Sequence, residues 1–439
     1  GAQYYLPFWS AGNDRNDNGD GNPGDGEYKD GYDTISHHAL AKNCMTVGAV
    51  SKAVSGVTRS VAAANMASFS SWGPADDGRI KPDIVADGVS VYSTDDADDD
   101  DYRYSSGTSM ASPNACGSAA LLVEYYQELF NGGAMRASSL KGLILHTADD
   151  LGRPGPDYAY GWGLMNTLAA ANQLKTLSEG NALKLTEAAV SAAEPEDAYS
   201  FYWDGANPIR VTLCWTDPPG VVKSGDDDRS PDLVNDLDLR VVGPGGTNWP
   251  YKLSYAAPSA NATATGENNV DNVEQVHIAA PGLGVYTVVV DHDGALSGGS
   301  QRYSLLVSGD SGDTDADTIP DFWENQYFAS PTGAVTTLDF DGDGADNLSE
   351  YVAGTIPTDS NSVFKAITSA LPTNGASYTV TWNAVEGRVY NVKFSSNLRY
   401  TGFTDISDDL PYPANSHADT EDRSSFGEVF YRVDVRLDQ

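Results

Sequence analysis

Cations are scarce in this 439-residue sequence: 26 Lys and Arg stand against 62 Asp and Glu, a formal net charge of −36. That deficit excludes nucleic acid and anionic membrane surfaces as partners, because both are held by clustered positive charge. The acid excess suits calcium binding, high solubility or a salty medium instead. Cysteine is nearly absent. Cys44, Cys116 and Cys214 are too few and too widely spaced for a disulfide framework, one bridge at most, and each lies in an apolar stretch, so all three are expected as buried thiols. No apolar run approaches the roughly 20 residues that a membrane helix needs. The opening residues carry no signal-peptide pattern, and the first residue is Gly rather than Met.

The length exceeds what one core usually serves and implies two to four domains. The organising stretch is Gly107-Thr108-Ser109-Met110-Ala111-Ser112-Pro113, followed by a run of small and then apolar residues from Asn114 to Tyr126. Its 3.6-residue period predicts a buried helix, with Pro113 tolerated in the first turn. Ser109 then sits at the positive end of the helix dipole, where backbone amides face developing negative charge. A serine there is a helix cap or an acyl-transfer nucleophile. Four more motifs stand upstream: Ala11-Gly12-Asn13 after the apolar run 4–11, Thr46 to Val50, Phe69 to Pro74, and Asp77 to Ala86.

In order and spacing, these motifs resemble the second half of the catalytic domain of subtilisin-like serine proteases. The resemblance covers about 170 residues and implies that Ser109 is the nucleophile, that Asn13 gives its amide to the oxyanion, and that Ser10 and Gly12 border the substrate pocket. Asp87 departs from it, since the family usually carries Pro before the glycine at 88. A serine nucleophile also needs a base and a group to orient that base. None of the six histidines, His37, His38, His146, His277, His292 and His417, stands in the family's His-Gly-Thr setting, and no segment matches its Asp motif. The resemblance places both partners upstream of Asn13, so a missing amino-terminal segment of the same protein is expected to carry them. Recruitment of His37 or His38 is the alternative.

The run Asp95, Asp96, Asp98 to Asp101 reads as a solvated loop or as one that steers cationic substrates. The Gly/Asp/Asn-rich stretch 14–33 reads as a solvated surface loop, the alternative being a calcium loop, for which it lacks a regular ligand spacing. From 183 to about 308, short alternating segments separated by turns imply an antiparallel sandwich or jelly roll. Trp215-Thr216-Asp217-Pro218 and Leu233 to Leu239 resemble the jelly roll that follows the catalytic domain in some bacterial subtilisin-like proteases, with Asp236 and Asp238 as calcium ligands or turn residues.

Residues 313–350 carry a metal-ligand spacing. Asp339, Asp341, Asp343, the Ala345 carbonyl, Asn347 and Glu350 fall at positions 1, 3, 5, 7, 9 and 12 of a calcium loop, with Gly344 at position 6. Asp313, Asp315, Asp317, the Ile319 carbonyl, Asp321 and Glu324 repeat it, with Thr318 where glycine is expected. Asp346 stands where the second loop usually has an apolar residue. Alternation resumes after 361 in what looks like a small β-sandwich.

The fold expectation is therefore multidomain: a partial α/β subtilisin-like parallel-sheet domain (1–178), an all-β jelly roll (179–310), an Asp-rich calcium-binding linker (311–360) and a small C-terminal β-sandwich (361–439). The functional expectation is a secreted or cell-surface serine endopeptidase acting on protein or peptide substrates, with Ca²⁺ as its cofactor and no activity in this chain alone. The alternative is an inactive, protease-like, calcium-dependent surface or adhesion protein.

Overall fold

The computed structural model describes residues 3–16, 31–178, 182–203, 207–223, 228–282, 284–308, 317–330, 332–370, 378–385, 388–398 and 402–437. They form two compact units, Gly1–Asp310 and Ser311–Gln439.

Unit 1 begins with a three-stranded parallel sheet in the order β1 (Phe8–Ser10), β2 (Met45–Val50), β3 (Ile84–Asp87). All six residues of β2 are buried, as the continuous apolar run of a covered parallel strand demands. The edge strand β1 is shorter and wetter than residues 4–11 predict: Tyr4, Tyr5 and Trp9 are exposed, and among the described residues only β2 pairs with it. An antiparallel hairpin, β4 (Val91–Thr94) and β5 (Tyr102–Ser105), leads into helix α1 (Thr108–Leu129). Helices α2 (Ala137–His146) and α3 (Thr167–Ser178) complete the helical layer.

Helix α1 corrects two expectations. Pro113 is its sixth residue, not part of the first turn, so it cannot donate to the Ser109 carbonyl four residues earlier. The helix is also not buried all round. Ala111, Ala115, Ala119 and Leu122 face the core, whereas Pro113, Asn114, Cys116, Gly117, Ala120 and Leu121 are exposed. Cys116 is thus a surface thiol, while Cys44 and Cys214 are buried as expected.

The rest of unit 1 is two four-stranded antiparallel sheets. One runs in the order β11 (Val273–Ile278), β8 (Ile209–Trp215), β13 (Ser300–Ser308), β6 (Thr186–Ser191). The other runs β10 (Gly246–Asn248), β9 (Asp236–Gly243), β12 (Gly284–Asp293), β7 (Asp197–Trp203). Their inner faces share one apolar cluster around Trp203, Trp215, Leu239, Val288 and Leu305. Strands β6, β10 and β13 were not foreseen from the sequence pattern.

The sandwich and the α/β layer share a core, because Cys214, Val273 and Leu306 pack with the apolar side chains of α2. Gly142 permits that approach: a Cβ there would lie 2.8 Å from Leu306 Cδ1 and 3.2 Å from Cys214 Cβ. Polar contacts surround the seam. Lys42 pairs with buried Asp217, whose carboxylate also accepts from the Val234 and Asn235 amides. Asn43 and the Asp217 backbone exchange two hydrogen bonds of 2.7 and 3.0 Å. Asp271 accepts from Ile80 N at 2.8 Å.

Unit 2 holds two short helices, α4 (Asp321–Phe328) and α5 (Asn347–Ala353). After them, β14 (Ala366–Ala370), β15 (Tyr378–Trp382) and β17 (Ser416–Asp419) form one antiparallel sheet. A second is built on β16 (Arg388–Ser395), which pairs with β18 (Phe430–Leu437) and the short segments 404–405 and 410–411. Val380, Trp382, Tyr390, Val392 and Val433 form the apolar cluster between the sheets.

Burial pushes Asp271 up to about 6 against the hydrogen bonds that favour its charge. The folded state therefore binds this proton more tightly than the unfolded chain, and the stability it contributes is complete below about pH 4 and lost as pH rises through about 6. Relative to Asp271→Asn, which still accepts from Ile80 N, the parent chain should lose about 2 kcal/mol between pH 4 and 7. Urea unfolding of both chains across that range measures the difference.

Candidate functional site

At the carboxyl end of β1 the chain turns through Gly12, whose φ of +114° suits glycine, and a Cβ there would meet Ser71 Oγ at 2.8 Å. Ser71 Oγ accepts from Asp14 N at 3.0 Å, and Ser71 N donates to the Gly12 carbonyl at 3.0 Å, which fixes the turn. Ser10 is half-buried, one residue before the fully buried Ala11.

Across the turn stands the start of α1. Thr108, fully buried, donates from both its amide and its hydroxyl to Asn13 Oδ1, each at 3.0 Å, and its Oγ1 accepts from Gly12 N at 3.2 Å. Holding Asn13 by its carbonyl oxygen fixes the carboxamide, so Nδ2 remains as its donor beside the first turn of α1. Ser109 follows at once, exposed, its amide among the first-turn donors that a helix leaves without an intrahelical acceptor. The structure thus brings Gly12 and Asn13 against the start of α1, where Ser109 stands. It adds Thr108 and Ser71, which orient them; Thr108 stood inside the motif, but nothing in its spacing assigned it a role.

No hydrogen bond joins Ser109 Oγ to an imidazole among the described residues. His37 and His38 lie on a single 3₁₀ turn (His37–Leu40), where His38 stacks on Trp9 at 5.5 Å and His37 lies tilted against His38 at 4.1 Å. His146 is buried against Thr212 Oγ1 at 2.9 Å, and burial holds it well below the ordinary histidine range. Asp87, the departure from the family pattern, ends β3 and accepts from Val89 N at 3.4 Å, so its carboxylate supports the turn.

Asp236 and Asp238 are strand residues of β9, opposite Asp293 and Asp291 in register. Burial, with Asp236 and Glu267 nearby, pushes Asp238 up to about 7.

In unit 2, Asp313 and Asp315 lie outside the described residues. Asp317 accepts from Ile319 N at 2.9 Å, Asp321 opens α4, and Glu324 is fully buried with Oε1 accepting from Ala334 N. The second loop is better formed. Asp339, Asp341 and Asp343 bring carboxylate oxygens within 4.8 Å of one another. Asp341 Oδ2, Asp343 Oδ2, Asn347 Oδ1 and Glu350 Oε2 are buried without a hydrogen-bond partner. Burial, then Asp341 and Asp343, push Glu350 up to about 7. Gly344 takes a φ of +101° in the tight turn. Asp346 caps α5 by accepting from Ser349 N at 2.8 Å, which accounts for a carboxylate where an apolar residue was expected. Three clustered carboxylates and four buried oxygens left without a hydrogen-bond partner along this loop are the donor chemistry of a hard divalent cation, so these residues fit Ca²⁺.

Residues 2–163 match the Subtilase family, peptidase family S8. Subtilisin DY of Bacillus licheniformis is 36% identical over 138 residues, covering 31% of this chain and 40% of that protein. The serine protease/ABC transporter B family protein tagA of Dictyostelium discoideum is 25% identical over 276 residues, covering 56% of this chain and 15% of its own. An extracellular serine protease of Serratia marcescens is 39% identical over 71 residues, covering 16% and 6%. The chain spans less than half the length of each of these relatives. No described helix is long and apolar enough to cross a membrane.

Thr108→Val removes the hydroxyl that links Gly12 to Asn13 and leaves a turn amide without its acceptor. The expected cost is about 1–3 kcal/mol in urea unfolding, with Thr108→Ser recovering most of it.

Proposed function

We propose that this chain, through its subtilase segment 2–163, supplies the nucleophile and oxyanion half of a secreted or cell-surface serine endopeptidase. The observation that carries the reading is the Asn13–Thr108–Ser109 arrangement: a carboxamide anchored by its oxygen, its nitrogen left to donate, beside an exposed serine on a helix start. Ser109 Oγ attacks the peptide carbonyl, and the resulting oxyanion is held by Asn13 Nδ2 and the Ser109 amide. Ser10 and Gly12 line the site for the substrate side chain.

The base and its orienting carboxylate come from a companion segment of the same protein. Two features favour that over recruitment of a local histidine. Among the described residues the parallel sheet offers β1 as an edge paired on one side, and α1 presents Pro113, Cys116, Ala120 and Leu121 to solvent. Parallel strands belong in covered sheets, and a central helix in a packed layer, so added strands and side chains would satisfy both. His37 and His38, by contrast, are engaged with each other and with Trp9.

Residues Asp339, Asp341, Asp343, Ala345, Asn347 and Glu350 hold Ca²⁺, which neutralises the carboxylates and stabilises unit 2. Asp317, Ile319, Asp321 and Glu324, with Asp313 and Asp315, form a second calcium loop. The extracellular Serratia relative supports export.

A serine-directed fluorophosphonate probe tests the catalytic reading. It should label Ser109 in a gene product that includes the companion segment, should not label Ser109→Ala, and should leave the 439-residue chain alone unlabelled. Asn13→Ala in the longer product should lower turnover by about 10²–10³, the loss known for an oxyanion-hole asparagine of a subtilisin. No labelling of the longer product overturns the reading in favour of an inactive calcium-dependent scaffold.

Calcium at tenfold its dissociation constant should stabilise unit 2 by about 1.4 kcal/mol in the full chain. Asp341→Ala with Asp343→Ala should abolish that gain, read by the melting of unit 2 with and without chelator.

A further inference from the structure

We propose that one face of the β4–β5 hairpin is an exosite that binds lysine- and arginine-bearing polypeptide segments. The strand register sets Tyr92 opposite Tyr104 and Thr94 opposite Tyr102, so three tyrosines and a threonine share one face. Val91, Ser93, Arg103 and Ser105 share the other. The tyrosine face is uncovered: Tyr92, Tyr102 and Tyr104 are 58%, 50% and 70% exposed. Their rings nevertheless form one surface, with Tyr92 centred 5.4 Å from Tyr102 and 4.8 Å from Tyr104.

An aromatic surface left to solvent is costly unless something uses it, and the electrostatics specify what. The tip carries Asp95, Asp96, Asp98, Asp99, Asp100 and Asp101 and is closed by Asp95 N to Asp101 O at 2.9 Å. The hairpin's one cation, Arg103, projects from the opposite face and pairs with Asp95 at 3.3 Å. Ring faces attract cations through their quadrupole, and the uncompensated carboxylates beside them add long-range attraction while repelling acidic peptides. The occupant that fits is an extended chain whose lysines or arginines lie over the rings.

The hairpin is joined firmly to the site. Ser90 N donates to Ser106 Oγ at 2.8 Å and Gly107 N to Gly88 O at 2.9 Å, so β5 runs directly into the start of α1. As a device for recruiting substrates, the exosite rests on the peptidase reading; as a binding surface it does not.

The test titrates the full chain with fluorescein-labelled oligolysine, followed by anisotropy at low and at physiological salt, with oligoglutamate as control. Oligolysine should bind and should protect residues 91–105 from hydrogen exchange. The Tyr92→Ala, Tyr102→Ala, Tyr104→Ala chain should bind about tenfold more weakly with unchanged melting. Changing Asp96, Asp98, Asp99 and Asp100 to Asn should weaken binding and flatten its salt dependence. Unchanged affinity in the tyrosine variant, protection elsewhere, or equal binding of oligoglutamate overturns the proposal. Fluorophosphonate labelling is read separately, so either reading can fail while the other stands.

Discussion

Asp83 holds two lysines out of water, and the architecture of unit 1 is arranged around that fact. Its Oδ1 meets Lys141 Nζ at 2.8 Å and its Oδ2 meets Lys81 Nζ at 2.6 Å, with all three side chains buried. Burial alone would raise its carboxyl, but Lys141 and Lys81 together hold it below the usual range. Lys141, which also donates to the Lys42 and Cys44 carbonyls, is raised despite its burial because Asp83 outweighs desolvation; Lys81 is lowered because burial wins. Such a group repays its desolvation only in near-ideal geometry, so it fixes position more than it adds stability. It ties β3 to the start of β2 and to α2, and the next residues along, Lys42 and Arg79, reach Asp217 and Asp232 of the sandwich. The sandwich thus completes a charge network that the α/β layer begins.

Buried carboxylates are met in two ways. In unit 1, buried acids such as Asp77, Asp83 and Asp217 are met by Arg79, by Lys81 and Lys141, and by Lys42. In the loop of unit 2, one oxygen each of half-buried Asp341 and Asp343 and of buried Glu350 has no hydrogen-bond partner, as is also true of Asp236, Asp238 and Glu274 in unit 1. The first arrangement is complete in protein atoms; the second reads as a shell for a cation.

Much of this was legible in sequence. Strand β2, apolar but for Thr46, and five of the eight sandwich strands follow from burial on both faces or on one, and the Asp339 to Glu350 spacing marks the loop whose three aspartates the structure brings together. Burial that depends on distant segments was not legible. Cys116 and Leu121 look like core residues on a helical period, yet they lie on a face of α1 that no described residue covers. The run Asp77, Arg79, Lys81, Asp83 stood in the sequence as part of a motif with no partners assigned, since these are as much as 155 residues away, as Asp232 N is from Asp77. Thr108 was hidden for a similar reason, because its acceptor Asn13 lies 95 residues earlier.

The central claim is that a companion segment completes the sheet and covers the nucleophile helix, bringing the base to Ser109. Reactivity of the Cys116 thiol reads that cover directly, because this cysteine is exposed on the outer face of α1 while Cys44 and Cys214 are buried. A maleimide should modify Cys116 rapidly in the 439-residue chain and slowly in the longer gene product, with the slow thiol released on unfolding. Equal, rapid modification in both would show that nothing packs on that face, and would contradict the account.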